Sequence, residues 1–217
     1  MINKISHFRL QPIVKLNNLR VKAHAYEVLA ELTDVSRSKL EAFFSYLSIN
    51  SHRELFKNQI DIFSSLPGNY FINIPVELLM TNGFASKLTK DKDNINIEIQ
   101  NPIKLFELNP YEIEQVKYEI ILLQSNGVNV WLDDIDDRFI QYAIDLGVYG
   151  VKIDKNVVWS DYNLSEIKSR LRNTNIKILA EGIENISHYS KSLSSGVDMA
   201  QGFLWPEIQI SAEGKIL

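Results

Sequence analysis

Residues 128–155 read VNVWLDDIDDRFIQYAIDLGVYGVKIDK, and the fold turns on two features of this stretch. The apolar run Val128-Asn129-Val130-Trp131-Leu132 reads as a buried strand that stops at two adjacent carboxylates, Asp133 and Asp134. A second apolar run, Val148 to Ile153, follows one strand-plus-helix later and carries Lys152 near its end. Buried charge is costly unless it is paired or metal-bound. Acids ending one interior strand and a lysine ending the next therefore point to one face of a parallel barrel or sheet, where chemistry collects. Capping is the competing account, since the pattern Phe139, Tyr142, Ala143, Leu146 is helical and acids suit helix N-termini. Capping and metal ligation are equally compatible with Asp133 and Asp134, whereas capping is the simpler reading of Asp136 and Asp137.

Working outward, the chain of 217 residues is long enough for a substantial core, with hydrophobic and charged shares of 45% and 23% that are ordinary for a soluble protein. A net charge of -4 argues against a duplex nucleic-acid partner but not against a phosphate-bearing ligand held by cations. Without cysteine there is no disulfide and no thiolate chemistry. No apolar run approaches the ~18 residues that suggest a membrane span, so no membrane partner and a cytoplasmic location are expected.

Phe8 to Leu16 and Leu19 to Leu29 read as two extended segments around an Asn17-Asn18 turn, with Glu27 among apolar neighbours near the end of the second. A solvated edge position is the bland account of Glu27. Residues 37 to 65 look helical in two pieces. Tyr70 to Ile74 is a strand with Asn73 near its end, and a polar loop from Thr89 to Asn94 leads to Ile95 to Ile99, where Asn96 and Glu98 share a face. A helix from Pro110 to Ser125 stops at Asn126-Gly127. After the opening stretch come a helix at Leu164 to Arg172, a strand at Ile176 to Ala180 running into Glu181-Gly182-Ile183-Glu184, and a helix at Asn185 to Leu193. A last short strand and turn span Asp198 to Phe203. Strands and helices alternate with no linker or composition break, which gives one α/β domain over residues 1–217 and favours a closed barrel.

Glu27, Asn73, Glu98, Asp133, Asp134, Lys152, Glu181 and Gln201 all fall at or near predicted strand ends. Independent capping would not select strand ends repeatedly. Several carboxylates at one mouth repel unless cations neutralise them, and an all-oxygen set suits Mg²⁺ or Mn²⁺. An adjacent Asp pair can serve two ions ~3.5–4 Å apart, the arrangement used for in-line displacement at phosphorus.

With these residues placed, the sequence resembles the EAL-domain family of cyclic di-GMP phosphodiesterases from Leu10 to Ile210. The resemblance is carried by Gln11-Pro12-Ile13-Val14, Tyr26-Glu27-Val28-Leu29 at the E-A-L signature, Phe71-Ile72-Asn73-Ile74, Glu98-Ile99 and Leu132-Asp133-Asp134. It continues through Val151-Lys152-Ile153-Asp154, Ala180-Glu181-Gly182-Ile183-Glu184 and Gln201-Gly202-Phe203. It implies a modified (β/α)₈ TIM-type barrel with an antiparallel first strand pair, two Mg²⁺ or Mn²⁺ ions, hydrolysis of cyclic di-GMP to 5′-pGpG, and a homodimer. Glu27, Asn73, Glu98 and Asp133 would hold one ion, and Asp133, Asp134 and Glu181 the other. Lys152 would orient or deprotonate the attacking water, Gln201 would support metal-bound waters, and Glu184 would brace the loop after Asp134. Gln11, Asp154 and position 31 would meet the substrate.

The chain looks like a compact, stand-alone and partly divergent member. The family's glycine-rich loop after the Asp pair is Ile135-Asp136-Asp137-Arg138 here, a bracing acid is replaced by Asn101, and a phosphate-contacting arginine by Glu31. The alternative is therefore a catalytically degenerate EAL-like domain that binds a protein partner or serves as a cyclic di-GMP receptor.

Overall fold

A computed structural model describes residues 4–16, 22–81, 83–85, 88 and 94–217. The expected Asn17-Asn18 turn and most of the Thr89 to Asn94 loop lie outside these residues. Two long strands open the chain, β1 (Ile5–Lys15) and β2 (Ala23–Leu32), paired antiparallel from Ile5↔Leu32 to Val14↔Ala23. Two helices, α1 (Leu40–Ser45) and α2 (Ile49–Phe63), follow, with Leu40, Leu55, Ile60 and Phe63 buried as their spacing requires. The chain then alternates through β3 (Tyr70–Pro75), α3 (Val76–Leu79), β4 (Ile95–Gln100), α4 (Pro110–Ser125), β5 (Asn129–Ile135) and α5 (Ile140–Leu146). It ends with β6 (Gly150–Ile153), α6 (Lys155–Trp159), α7 (Leu164–Leu171), β7 (Lys177–Ala180), α8 (Ile186–Ser194), β8 (Met199–Gln201) and β9 (Ile208–Ser211). Strands β2 to β8 are parallel neighbours in chain order.

The ring closes because β1 has two working edges. One edge runs along β2, while Ile13–Lys15 of the other pairs with β8 and His7–Leu10 of the same edge pairs with β9. The expected barrel with its antiparallel first pair is therefore what forms. Helix α4 has the boundaries expected and is held at its start by a capping box between Asn109 and Glu112. Three points differ from expectation. Strand β5 runs through the Asp pair to Ile135 instead of stopping at it, β6 starts at Gly150 rather than Val148, and α6 and β9 carry no strong sequence signal.

Alternation along each strand sorts the interior into levels. Ile13, Ala25, Phe71, Trp131, Leu179 and Met199 form an apolar disc that is separate from the main core between strands and helices. One step further along the parallel strands stand Glu27, Asn73, Asp133 and Glu181, and one step back stand Asn129 and Lys177, while β4 gives no residue to the disc and passes directly from Asn96, bonded to Asn129, to Glu98, beside Lys152. Gly150 is required by this disc: a Cβ there would lie 2.3 Å from the Trp131 ring.

Candidate active site

The polar level beyond the disc is gathered around Lys152. Its side chain is 1% exposed, and Nζ lies 2.8 Å from Asp133 Oδ1, 2.9 Å from Glu181 Oε1, 3.0 Å from Glu98 Oε1 and 3.3 Å from Glu27 Oε2. Burial alone would drive an ammonium to neutrality, but four facing carboxylates outweigh it and hold Lys152 well above its ordinary value. In this state Lys152 is a cation rather than a base.

One ammonium cannot neutralise four acids, and the acids divide accordingly. Burial raises Glu27, yet the attraction of Lys152 and side-chain hydrogen bonds from Asn73 and Gln201 outweigh it, so Glu27 titrates below its ordinary value. Burial, reinforced by the neighbouring acids, carries Glu98 and Glu181 well above theirs and Asp133 to about 6. Asn73 Nδ2 donates to Glu27 Oε1 at 2.7 Å, and Gln201 Nε2 donates to Glu27 and, at 2.7 Å, to Gln11 Oε1. Gln11 lies directly across from Glu27 in the β1–β2 register.

Successive strand residues face opposite ways, so Asp133 and Asp134 should not share a mouth. Asp134 escapes this rule by adopting φ +48°, a left-handed conformation that Asp tolerates better than most residues, at a break in the β5–β6 register. Oxygens of Asp133, Asp134 and Glu181 consequently lie within 4.8 Å of one another. No positive φ occurs from Ile135 to Arg138, so this segment needs no glycine. Asp136 caps the turn at Arg138 N–H, as expected; Asp137 instead binds Arg170 and the Tyr162 hydroxyl.

The donor set fits hard divalent cations. Asn73 Oδ1 and Glu98 Oε2 are buried and accept no hydrogen bond from the described residues, and Glu98 Oε1 and Asp133 Oδ1, though in ion-pair range of Lys152, accept no well-aligned one from them. Oxygens left bare in this way are costly in a folded protein and are what Mg²⁺ or Mn²⁺ binds.

The other expected site residues stand further out. Glu184 is exposed just before α8. Asp154 accepts from Asn156 N–H at 2.7 Å and caps α6. Glu31 is 8% exposed and is bound by Arg9 Nε, while Arg9 Nη1 reaches Glu207 at 2.6 Å and Arg37 lies 3.1 Å from the same carboxylate. Sequence reasoning missed Arg9. Its signal was the cross-strand register, which sets His7 against Glu31 and Arg9 one step away.

A closed mixed barrel with an acid cluster at the C-terminal ends of its parallel strands is the class of protein that fold and site define. The chain belongs to the EAL domain family, whose model matches residues 2–207. Solved structures with the same fold include Klebsiella pneumoniae BlrP1 in a calcium and cyclic di-GMP complex, at 19% identity and a TM-score of 0.75 over 100% of this chain. Bacillus subtilis YkuI, with an EAL domain and bound to its substrate cyclic di-GMP and calcium, gives 19% and 0.74 over 95%. The Xanthomonas citri FimX EAL domain in complex with cyclic di-GMP gives 14% and 0.73 over 92%. The chain spans 59% of BlrP1, 55% of YkuI and 87% of the FimX domain. No curated protein sequence matches it. No helix among the described residues is long and apolar enough to cross a membrane.

Proposed function

We propose that the chain hydrolyses cyclic di-GMP to linear 5′-pGpG: a water oxygen adds to one phosphorus, the P–O3′ bond breaks, and the freed 3′ oxygen takes up a proton. The reading is carried by the buried oxygens Asn73 Oδ1 and Glu98 Oε2, which accept no hydrogen bond from the described residues and stand beside Asp133 at the barrel mouth. Glu27, Asn73, Glu98 and Asp133 would hold one Mg²⁺ or Mn²⁺, and Asp133, Asp134 and Glu181 a second. When bound, two such ions acidify a water between them and offset charge developing at phosphorus.

The chain's own residues do the rest. Lys152 supplies a fixed positive charge beside the phosphate and orients the water. Gln201, already donating to Glu27, keeps that carboxylate in its ligating pose. Gln11 and Asp154 face the nucleotide, and Glu184 braces the segment after Asp134. Glu31 meets the substrate only through Arg9, whose charge it balances. A homodimer forms with residues 134–138 and α5 near the interface.

A second reading, binding without turnover, is favoured by one observation: Glu31 occupies the place where the resemblance implies a phosphate-binding arginine. Incubating purified protein with cyclic di-GMP and Mg²⁺ or Mn²⁺ separates the two by chromatography of the products. pGpG formation that is lost with chelator and in Glu27→Ala is expected. Tight binding with no pGpG would replace the enzyme by a receptor, and neither binding nor turnover would leave a protein-binding module.

A further inference from the structure

The barrel has a second polar face. On the far side of the apolar disc, at the N-terminal ends of the parallel strands, lies a cavity of about 500 Å³. Its floor is the disc, through Phe71 and Trp131, so no part of the carboxylate cluster reaches it. Asn129 Nδ2 donates to Asn96 Oδ1 at 3.2 Å, and Trp131 Nε1 approaches the same oxygen at 3.4 Å. These bonds fix how both amides are turned. They leave the Asn96 amino group and the Asn129 carbonyl, on two residues that line the cavity, with no partner among the described residues and open to solvent.

Tyr149 stands at the rim, 39% exposed, with its ring 5.6 Å from that of Trp131. The described residues that line the cavity carry a positive charge. Lys15 and Lys177 line it, and the one carboxylate there, Asp198, is already engaged by Lys168 at 3.1 Å and Ile178 N–H at 3.0 Å, with Lys177 only at 3.7 Å. His24, on the same wall, is held below its ordinary value by burial and by Lys15.

We infer that this cavity is a binding site for a heteroaromatic anion of mononucleotide size, separate from the carboxylate mouth. The neighbouring donor and acceptor of Asn96 and Asn129 match the hydrogen-bonding edge of a purine, Tyr149 offers a ring face for stacking, and Lys15 and Lys177 meet the anionic group. The inference does not depend on the phosphodiesterase reading, since it uses none of the residues of that mouth.

Calorimetry on the full chain in chelator tests it, with GMP, guanosine and inorganic phosphate as separate probes. GMP should bind, guanosine should bind more weakly, and phosphate alone should give no measurable heat. Tyr149→Ala should weaken GMP binding by roughly 5- to 150-fold, the usual loss for one base stacked on an aromatic ring. Asn129→Leu should weaken it as well, and Glu27→Ala at the other end should leave it unchanged. Tyr149 and Lys177 are surface positions, so Tyr149→Ala and Lys177→Ala report on the site even if Asn129→Leu fails to fold. No GMP binding at about 5 mM, phosphate binding as tightly as GMP, loss of binding in Glu27→Ala, or no effect of Tyr149→Ala and Lys177→Ala would each overturn the inference.

Discussion

Replacing Lys152 with methionine keeps the length of the side chain and removes the one cation that the described residues place inside the carboxylate cluster. Four acids lie within 3.3 Å of its Nζ. Taking away one partner of a buried ion pair costs about 3–5 kcal/mol, because the charge left behind stays desolvated. At roughly 2–4 °C per kcal/mol for a chain of this size, the metal-free variant should melt about 6–20 °C below wild type near neutral pH. The loss should shrink in acid. Glu98 and Glu181, held well above their ordinary range, and Asp133, at about 6, take up protons there and no longer need the ammonium. Mn²⁺ should recover more stability in the variant than in wild type, since the ion no longer competes with a lysine for the same oxygens. Thermal melts by circular dichroism, in chelator and in Mn²⁺, at about pH 7.5 and pH 5, read all three effects. A variant that melts with wild type in chelator at the higher pH would show that the ammonium does not sit among the acids, and the assignment of the cluster would fall with it.

Glu98→Gln removes an acid that burial and its neighbours disfavour, so it should raise the melting temperature of the metal-free protein while abolishing the stabilisation by Mn²⁺; a lower melting temperature in chelator would contradict the electrostatics described. For the same reason metal-free wild type should be more stable near pH 5 than near pH 7.5. Carboxylates with raised values stabilise the fold below the unfolded value and lose that contribution as pH rises through the folded one; within the cluster only Glu27 runs the opposite way, and outside it the lowered Asp136, His24 and His52 oppose the trend. Glu31→Gln releases Arg9 from one of its two carboxylates, which should cost about 1.5–3 kcal/mol of stability and lower the KM for cyclic di-GMP; an unchanged KM would mean that Arg9 does not turn toward the substrate. Gly150→Ala forces a methyl group against the Trp131 ring and should destabilise by about 1–3 kcal/mol, readable as a shifted urea midpoint at constant slope.

The strand ends were legible because alternation turns sequence position into depth. Once Trp131 is taken as interior, Asp133 must be as well, and the same step places Glu27 beyond Ala25, Asn73 beyond Phe71 and Glu181 beyond Leu179. What alternation does not carry is the distance across the ring. The sequence puts Lys152 and Glu27 125 positions apart, and only closure of β1 onto β2, β8 and β9 brings them to 3.3 Å. The Arg9–Glu31 pair escaped notice for a related reason, since it depends on the register of an antiparallel pair whose turn residues give no reading of how many rungs separate the two charges. Asp134 ran against the rule itself: alternation sends it outward, and a single left-handed residue brings it back.

The N-terminal face went unread because its residues lack the signal that betrayed the other. A carboxylate at a strand end is expensive and demands a partner; an asparagine at a strand start passes for a turn residue. Yet β5 carries both ends in three alternate positions, with Asn129 at the cavity, Trp131 in the disc and Asp133 at the acid cluster. If the cavity binds a nucleotide, the disc is the element through which occupancy would reach the cluster. Trp131→Leu, which also removes the contact to Asn96 and part of the cavity floor, should then weaken GMP binding and, at saturating GMP, remove its effect on the cluster. Titrating Mn²⁺ with and without saturating GMP, in wild type and in this variant, reads that coupling directly: a GMP effect on Mn²⁺ affinity that survives unchanged in Trp131→Leu would place the route elsewhere.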